Sequence, residues 1–200
     1  MNPLNSVRGA ITTGFVAALV LSLLISPTAF GELSLARWLH IVAGITWIGL
    51  LYYFNLVQIP ALAEAAADKG GPGGAGIGKY VAPRALLWFR YAALATWITG
   101  AWYLGRSGNF VGAFTLGLGG DPVNYYQLII GVGAWLGTIM LFNVWVLIWP
   151  NQRKVLGLVA ASDEEKARAR RTALLASRTN FVLSLPMLLC MGSATHGLPL

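Results

Sequence analysis

The sequence predicts an all-α, polytopic membrane protein, a bundle of five transmembrane helices. Three observations carry that reading. Apolar residues make up 56% of the 200 residues and charged residues 10%, against about 25% charged in an ordinary soluble domain. Five stretches hold the roughly 20 mostly apolar residues that a helix needs to cross a bilayer core. The basic residues gather almost wholly on one side of those stretches. A disordered chain and a coiled coil are excluded. The single cysteine, Cys190, excludes a disulfide framework, a cysteine zinc site and a c-type haem, which needs C-x-x-C-H.

The whole chain, 1–200, reads as a single transmembrane domain. The first span covers about 10–30. Arg8 before an apolar run imitates a signal peptide, but the run continues to Phe30 with no A-x-A site after it, so a retained helix is expected. The second span covers about 35–62. The loop after it, Ala63 to Pro83, contains Gly70-Gly71-Pro72-Gly73-Gly74 and is expected to be flexible. It lacks the G-K-[ST] ending and the preceding strand of a phosphate cradle.

The third span covers about 85–104. The glycine-rich, weakly apolar stretch from Arg106 to Asn124 is expected to lie along the membrane surface. The fourth span covers about 126–149 and contains Gly133 and Gly137, a G-x-x-x-G spacing that permits close helix approach. A charged segment comes next, where Ser162 and Glu165 have capping-box spacing. It predicts a short cytoplasmic surface helix over about 162–175. The fifth span covers about 180–197, with Pro186 expected to bend it. Trp38, Trp88 and Trp149 fit interfacial belts, whereas Trp47, Trp97 and Trp135 are expected inside the bundle.

Twelve of the 14 Lys and Arg fall at the N-terminus, in the second-to-third loop or in the fourth-to-fifth loop; only Arg37 and Arg106 fall on the other side. The asymmetry predicts a multi-pass membrane protein, N-terminus in and C-terminus out. It explains the net charge of +7 by anionic lipid at the cytoplasmic face, so no nucleic-acid partner is expected. All seven acids lie outside the spans or at their ends. A proton-coupled transporter, which ordinarily uses a buried carboxylate, is therefore disfavoured.

Polar residues inside spans are functional candidates. The two histidines, His40 and His196, are 156 positions apart, yet both fall near the outer ends of their spans. A single interfacial histidine is ordinarily structural. A pair at matched depth is a candidate ligand set for haem b, one nitrogen on each face of the iron. Ala43 and Gly44 lie a turn beyond His40 and are expected to leave room for a flat ring, with Trp47 closing the pocket two turns below. On the inner side Asn55, Arg90, Asn143 and Asn180 share a depth. They read as hydrogen-bonded glue between helices, with a substrate pocket as the alternative.

Three stretches carry a resemblance. The first is Arg37-Trp38-Leu39-His40-Ile41-Val42-Ala43-Gly44-Ile45-Thr46-Trp47-Ile48-Gly49 with Tyr53-Phe54-Asn55. The second runs from Phe142-Asn143-Val144-Trp145 to Ile148-Trp149-Pro150-Asn151-Gln152-Arg153-Lys154. The third runs from Asn180-Phe181 through Pro186 to His196. Together they resemble the membrane domain of the bacterial membrane-bound urate hydroxylase family (urate oxidase, N-terminal type). The W-P-N-Q-[RK]-K element is the most specific part.

The resemblance implies a redox role linked to purine oxidation, with electrons passed to a c-type cytochrome. Family members commonly carry that cytochrome as a C-terminal domain, whereas these 200 residues contain no C-x-x-C-H. The resemblance therefore suits a shortened relative that works with a separate c-type cytochrome or inside a larger membrane complex. His40, Asn143 and His196 are the positions it marks as functional. The expected function is a haem b redox protein, an oxidoreductase of the urate hydroxylase type, passing electrons at the periplasmic face. The alternative is a non-catalytic transmembrane subunit.

Overall fold

The computed structural model describes residues 2–25 and 31–199. Among these residues there are helices and loops but no strands. Helix α1 is Val7–Ile25, α2 is Glu32–Ala67, α3 is Ala82–Arg106, α4 is the short Phe110–Phe114, α5 is Tyr125–Val155 and α6 is Asp163–Ser193. The expected end of the first span, 26–30, and the start of the N-terminus at Met1 lie outside the described residues.

Four helices, α1, α2, α5 and α6, are long and apolar enough to cross a membrane. Helix α3 has 25 residues, about 37 Å at 1.5 Å per residue, which is enough length for a bilayer core. Its Trp, Tyr and Thr content and Arg90 leave it without an 18-residue stretch as apolar as those of the other four.

Three boundaries differ from the sequence reading. Helix α2 continues to Ala67 and helix resumes at Ala75, so the glycine loop is confined to the residues between. The expected surface helix and the fifth span are one continuous 31-residue helix. Nothing between Arg171 and Asn180 breaks a helix, and Pro186 is accommodated inside it. The stretch after Arg106 folds back on the bundle. It forms α4, whose Ala113 is fully buried, and the side of Gly131 that lacks a Cβ abuts the Ala113 carbonyl. The capping box forms as expected: Glu165 N–H donates to Ser162 Oγ at 3.2 Å, and Ser162 N–H donates to Glu165 Oε2 at 2.8 Å.

Three wide, π-type turns interrupt the helices at Phe54–Gln58, Ile77–Val81 and Asn143–Ile148. Each ends two residues before a proline, namely Pro60, Pro83 and Pro150. The cause is local. Proline has no N–H and its ring collides with the carbonyl four residues back. A wider turn relieves the collision and lets the chain stay helical.

Helix α2 packs along α3, and α5 along α6. The core between the pairs is built on Trp47, Leu51 and Phe54 of α2, Phe89 of α3, Met140 and Val144 of α5, and Met187 of α6. Helix α6 presents small residues to it, with Ala169, Ala173, Ala176, Asn180, Ser184 and Met187 buried three or four apart. In lipid such a seam gains by close packing and hydrogen bonds, since tails are as apolar as leucine. Trp97 Nε1 donates to Thr138 Oγ1 at 2.9 Å, which ties α3 to α5.

Trp135 departs from expectation. It is 45% exposed and packs on the outside against Phe114, with Nε1 donating to the Phe114 carbonyl at 3.2 Å. Helix α1 has no buried residue and touches α2 through Phe15 against Trp38, ring centroids 5.2 Å apart.

Candidate functional site

Helices α2 and α3 are pinned together at one end of the bundle. Glu32, the first residue of α2, accepts from Trp102 Nε1 at 2.8 Å and from Arg106 Nε at 2.9 Å. Two turns further along α2, His40 meets α3. Its Nδ1–H donates to the Thr96 carbonyl at 2.8 Å. A carbonyl oxygen has two lone pairs, so the Thr96 oxygen can serve its own helix and the imidazole together. Gly100 makes the approach possible: a Cβ there would stand 2.9 Å from His40 Cε1 and 3.0 Å from Nδ1.

A backbone acceptor on Nδ1 fixes the tautomer. The proton sits on Nδ1, and Nε2 keeps its lone pair. Nε2 has no hydrogen-bond partner among the described residues. This is the arrangement in which a histidine acts as a ligand, with its second nitrogen oriented by a carbonyl.

His40 lines a cleft-like cavity of about 250 Å³ that lies among α2, α3, α4, α5 and α6. Most of the lining is apolar or aromatic. Arg37, one turn from His40, and the phenols of Tyr103 and Tyr126 supply polar groups, and Met187 and Met191 supply thioethers. Trp47 also lines it. That indole is 2% exposed, and its Nε1 donor has no partner among the described residues. Gly137 borders the cavity with open space where a Cβ would be.

Of the two histidines only His40 lines the cavity, although Ala194 and Thr195, just before His196, line it too. His196 lies in the exposed turn after α6 and does not line the cavity. Helix α6 ends at Ser193, and a turn follows in which Gly197 N–H donates to the Ser193 carbonyl at 2.8 Å. The regular helix therefore ends at Ser193, and the rest of the stretch expected to 197 is turn. Gly44 is also elsewhere. The point where its Cβ would be is 3.7 Å from Thr96 Cγ2, so Gly44 serves the α2–α3 contact rather than a ligand.

The inner polar set divides. Asn143 Nδ2 donates to Asn180 Oδ1 at 2.8 Å, and Asn180 Nδ2 donates to the Met140 carbonyl at 3.0 Å. Asn55 Nδ2 donates to Ser177 Oγ at 3.0 Å and to its own helix at the Leu51 carbonyl at 2.8 Å. Asn55 and Asn143 thus tie α2 and α5 to one face of α6 from inside wide turns, which is the glue reading. Arg90 stands apart from the asparagines, its guanidinium 3.7 Å from the centroid of the Trp149 ring. Such a cation–π stack keeps the charge at the aromatic belt.

Sequence reasoning missed Thr96, Gly100, Arg37 and both methionines. Only Arg37 left a signal, as a cation at i−3 from His40 on one face. The others lie on helices whose approach to His40 no local pattern records.

No curated protein and no solved structure matches the chain. Residues 127–199 match the family model described as urate oxidase N-terminal. The match spans α5 and α6, including Asn143, the Trp149-Pro150-Asn151-Gln152 stretch, Asn180 and the two cavity methionines. Over this C-terminal stretch, a little over a third of the chain, the sequence is similar to the urate oxidase N-terminal family.

Proposed function

We propose that the protein is a membrane-embedded redox protein of the urate hydroxylase type, in which His40 is an axial ligand of haem b. The observation that carries this reading is the tautomer of His40: Nδ1 is committed to the Thr96 carbonyl and Nε2 is free to bind iron. The donor set fits the group. An oriented imidazole, two thioethers and a mostly apolar, aromatic lining meet at one cavity. Bound haem would supply one-electron exchange there.

The chain's own residues have three tasks. Thr96 and Gly100 hold the imidazole in register. Trp47 floors the cavity and limits water. Arg37, exposed at the rim, offers positive charge to an acidic substituent of a ligand. The cavity lies toward the end of the bundle marked by Glu32 and Arg106, which the charge count assigns to the periplasm, so electrons would leave toward a c-type cytochrome on that side.

The test is an absorption spectrum of the full chain purified in detergent after haem supplementation. A Soret band that His40→Ala removes supports the proposal. A wild-type chain with no Soret band overturns it.

One observation favours a second reading, a transmembrane subunit of a larger assembly. Helix α1 has no buried residue, and Ala10, Gly14, Ala18 and Ser22 recur along it at the four-residue spacing that suits helix contacts in lipid. Native mass measurement after mild solubilisation separates the two readings: this one requires a stable complex and a chain without haem.

A further inference from the structure

We propose that Met191 of α6 is the second axial ligand opposite His40; this rests on the haem reading above. Within the cavity lining, the groups able to bind iron are His40, the thioethers of Met187 and Met191, and the phenols of Tyr103 and Tyr126. His196 is outside it. His40 comes from the α2–α3 pair and is backed by Thr96 and Gly100. Met191 comes from the α5–α6 pair and is backed by Gly133, where a Cβ would be 3.3 Å from the methionine Cε. A flat group lying between the pairs would have imidazole on one face and thioether on the other.

Depth selects Met191 over Met187. His40 is eight residues into α2 and Gly133 eight residues into α5, so each is about 12 Å from the start of its helix. Met191 is level with Gly133. Met187 lies one turn deeper, 5% exposed, in the core with Trp47. A thioether is soft and unbranched, so it can reach iron without moving the helix. His–Met ligation raises a haem potential above that of a bis-histidine site.

The test uses the full chain reconstituted with haem in nanodiscs. The readouts are the Soret band, the near-infrared charge-transfer band of thioether-ligated ferric haem, and the midpoint potential. Met191→Leu is expected to keep the Soret band, lose the near-infrared band and lower the potential. Met191→His should regain six-coordination with a bis-imidazole spectrum at a lower potential. His196→Ala should change none of the three. The inference is overturned if the wild type lacks the near-infrared band, if Met191→Leu keeps it, or if His196→Ala removes it. Absence of any Soret band, or a band that survives His40→Ala, removes the haem reading itself and is seen before any methionine variant is made.

Discussion

Gly100 stands against the imidazole of His40, with 2.9 Å between the position of a Cβ and His40 Cε1. A glycine in mid-helix costs about 1 kcal/mol relative to alanine, so its presence in α3 reflects a neighbour that needs the space. The neighbour is a ring that must reach the Thr96 carbonyl one turn back.

Gly100→Ala should therefore displace His40 and break the bond to Thr96. Overpacking of this kind costs roughly 1–3 kcal/mol, partly offset by the gain in helix propensity. The expected outcome is a chain that still folds but loses the Soret band on haem titration. Circular dichroism and absorbance on the same sample check it. Unchanged haem uptake would show that the imidazole needs no such seat.

Asn180 is fully buried and bonds both Asn143 and the Met140 carbonyl. Hydrogen bonds between helices in lipid average about 0.6 kcal/mol, with a maximum near 1.7. A double-mutant cycle of Asn143→Ala and Asn180→Ala, measured by steric-trap or denaturant unfolding in bicelles, should give a coupling in that range. A coupling of zero would mean the pair does not hold α5 to α6.

Gly133 and Gly137 have identical spacing signals but opposite surroundings. A Cβ at Gly133 would meet Cys190 Cβ at 3.1 Å, whereas one at Gly137 meets nothing within 4 Å. Gly133→Val should push α6 away and destabilise the chain by roughly 1–3 kcal/mol. Gly137→Val should leave thermal stability near wild type and fill part of the cavity, weakening ligand uptake. Melting curves with and without haem distinguish the two variants; equal melting losses would contradict the placement of Gly137 at the cavity.

The wide turn at Asn143–Ile148 arises from Pro150. Pro150→Ala restores an N–H and removes the ring collision, so the turn should relax toward a regular α-helix. That rotates the N-terminal part of α5 relative to its last turns and strains the Asn143–Asn180 bond. Cysteine crosslinking between positions 143 and 180 in a Cys190→Ser background is expected to fall in the Pro150→Ala variant and not in Pro60→Ala.

The covalent chain carries its own reasons for being helical and membrane-like. Long apolar runs cannot leave backbone groups unpaired in lipid, so Val7–Ile25, Glu32–Ala67 and Tyr125–Val155 are set by composition alone. The capping box at Ser162 is equally local. The asparagine glue was legible as well, because polar side chains in apolar runs have few choices of partner.

Hydropathy missed where helices end and which faces meet. The stop at Ser193 exposes His196, and the continuity of α6 through residue 175 depends on the absence of a breaker rather than on a change in polarity. Tertiary packing alone decided the cavity. His40, Thr96, Gly100, Met187 and Met191 come from three helices whose mutual rotation is set by small residues and wide turns, and no periodicity within one helix encodes the side it shows to another. A spacing such as Gly133 to Gly137 states that a backbone is bare at two points; only the neighbour that comes up to each point decides whether it is a contact or a space.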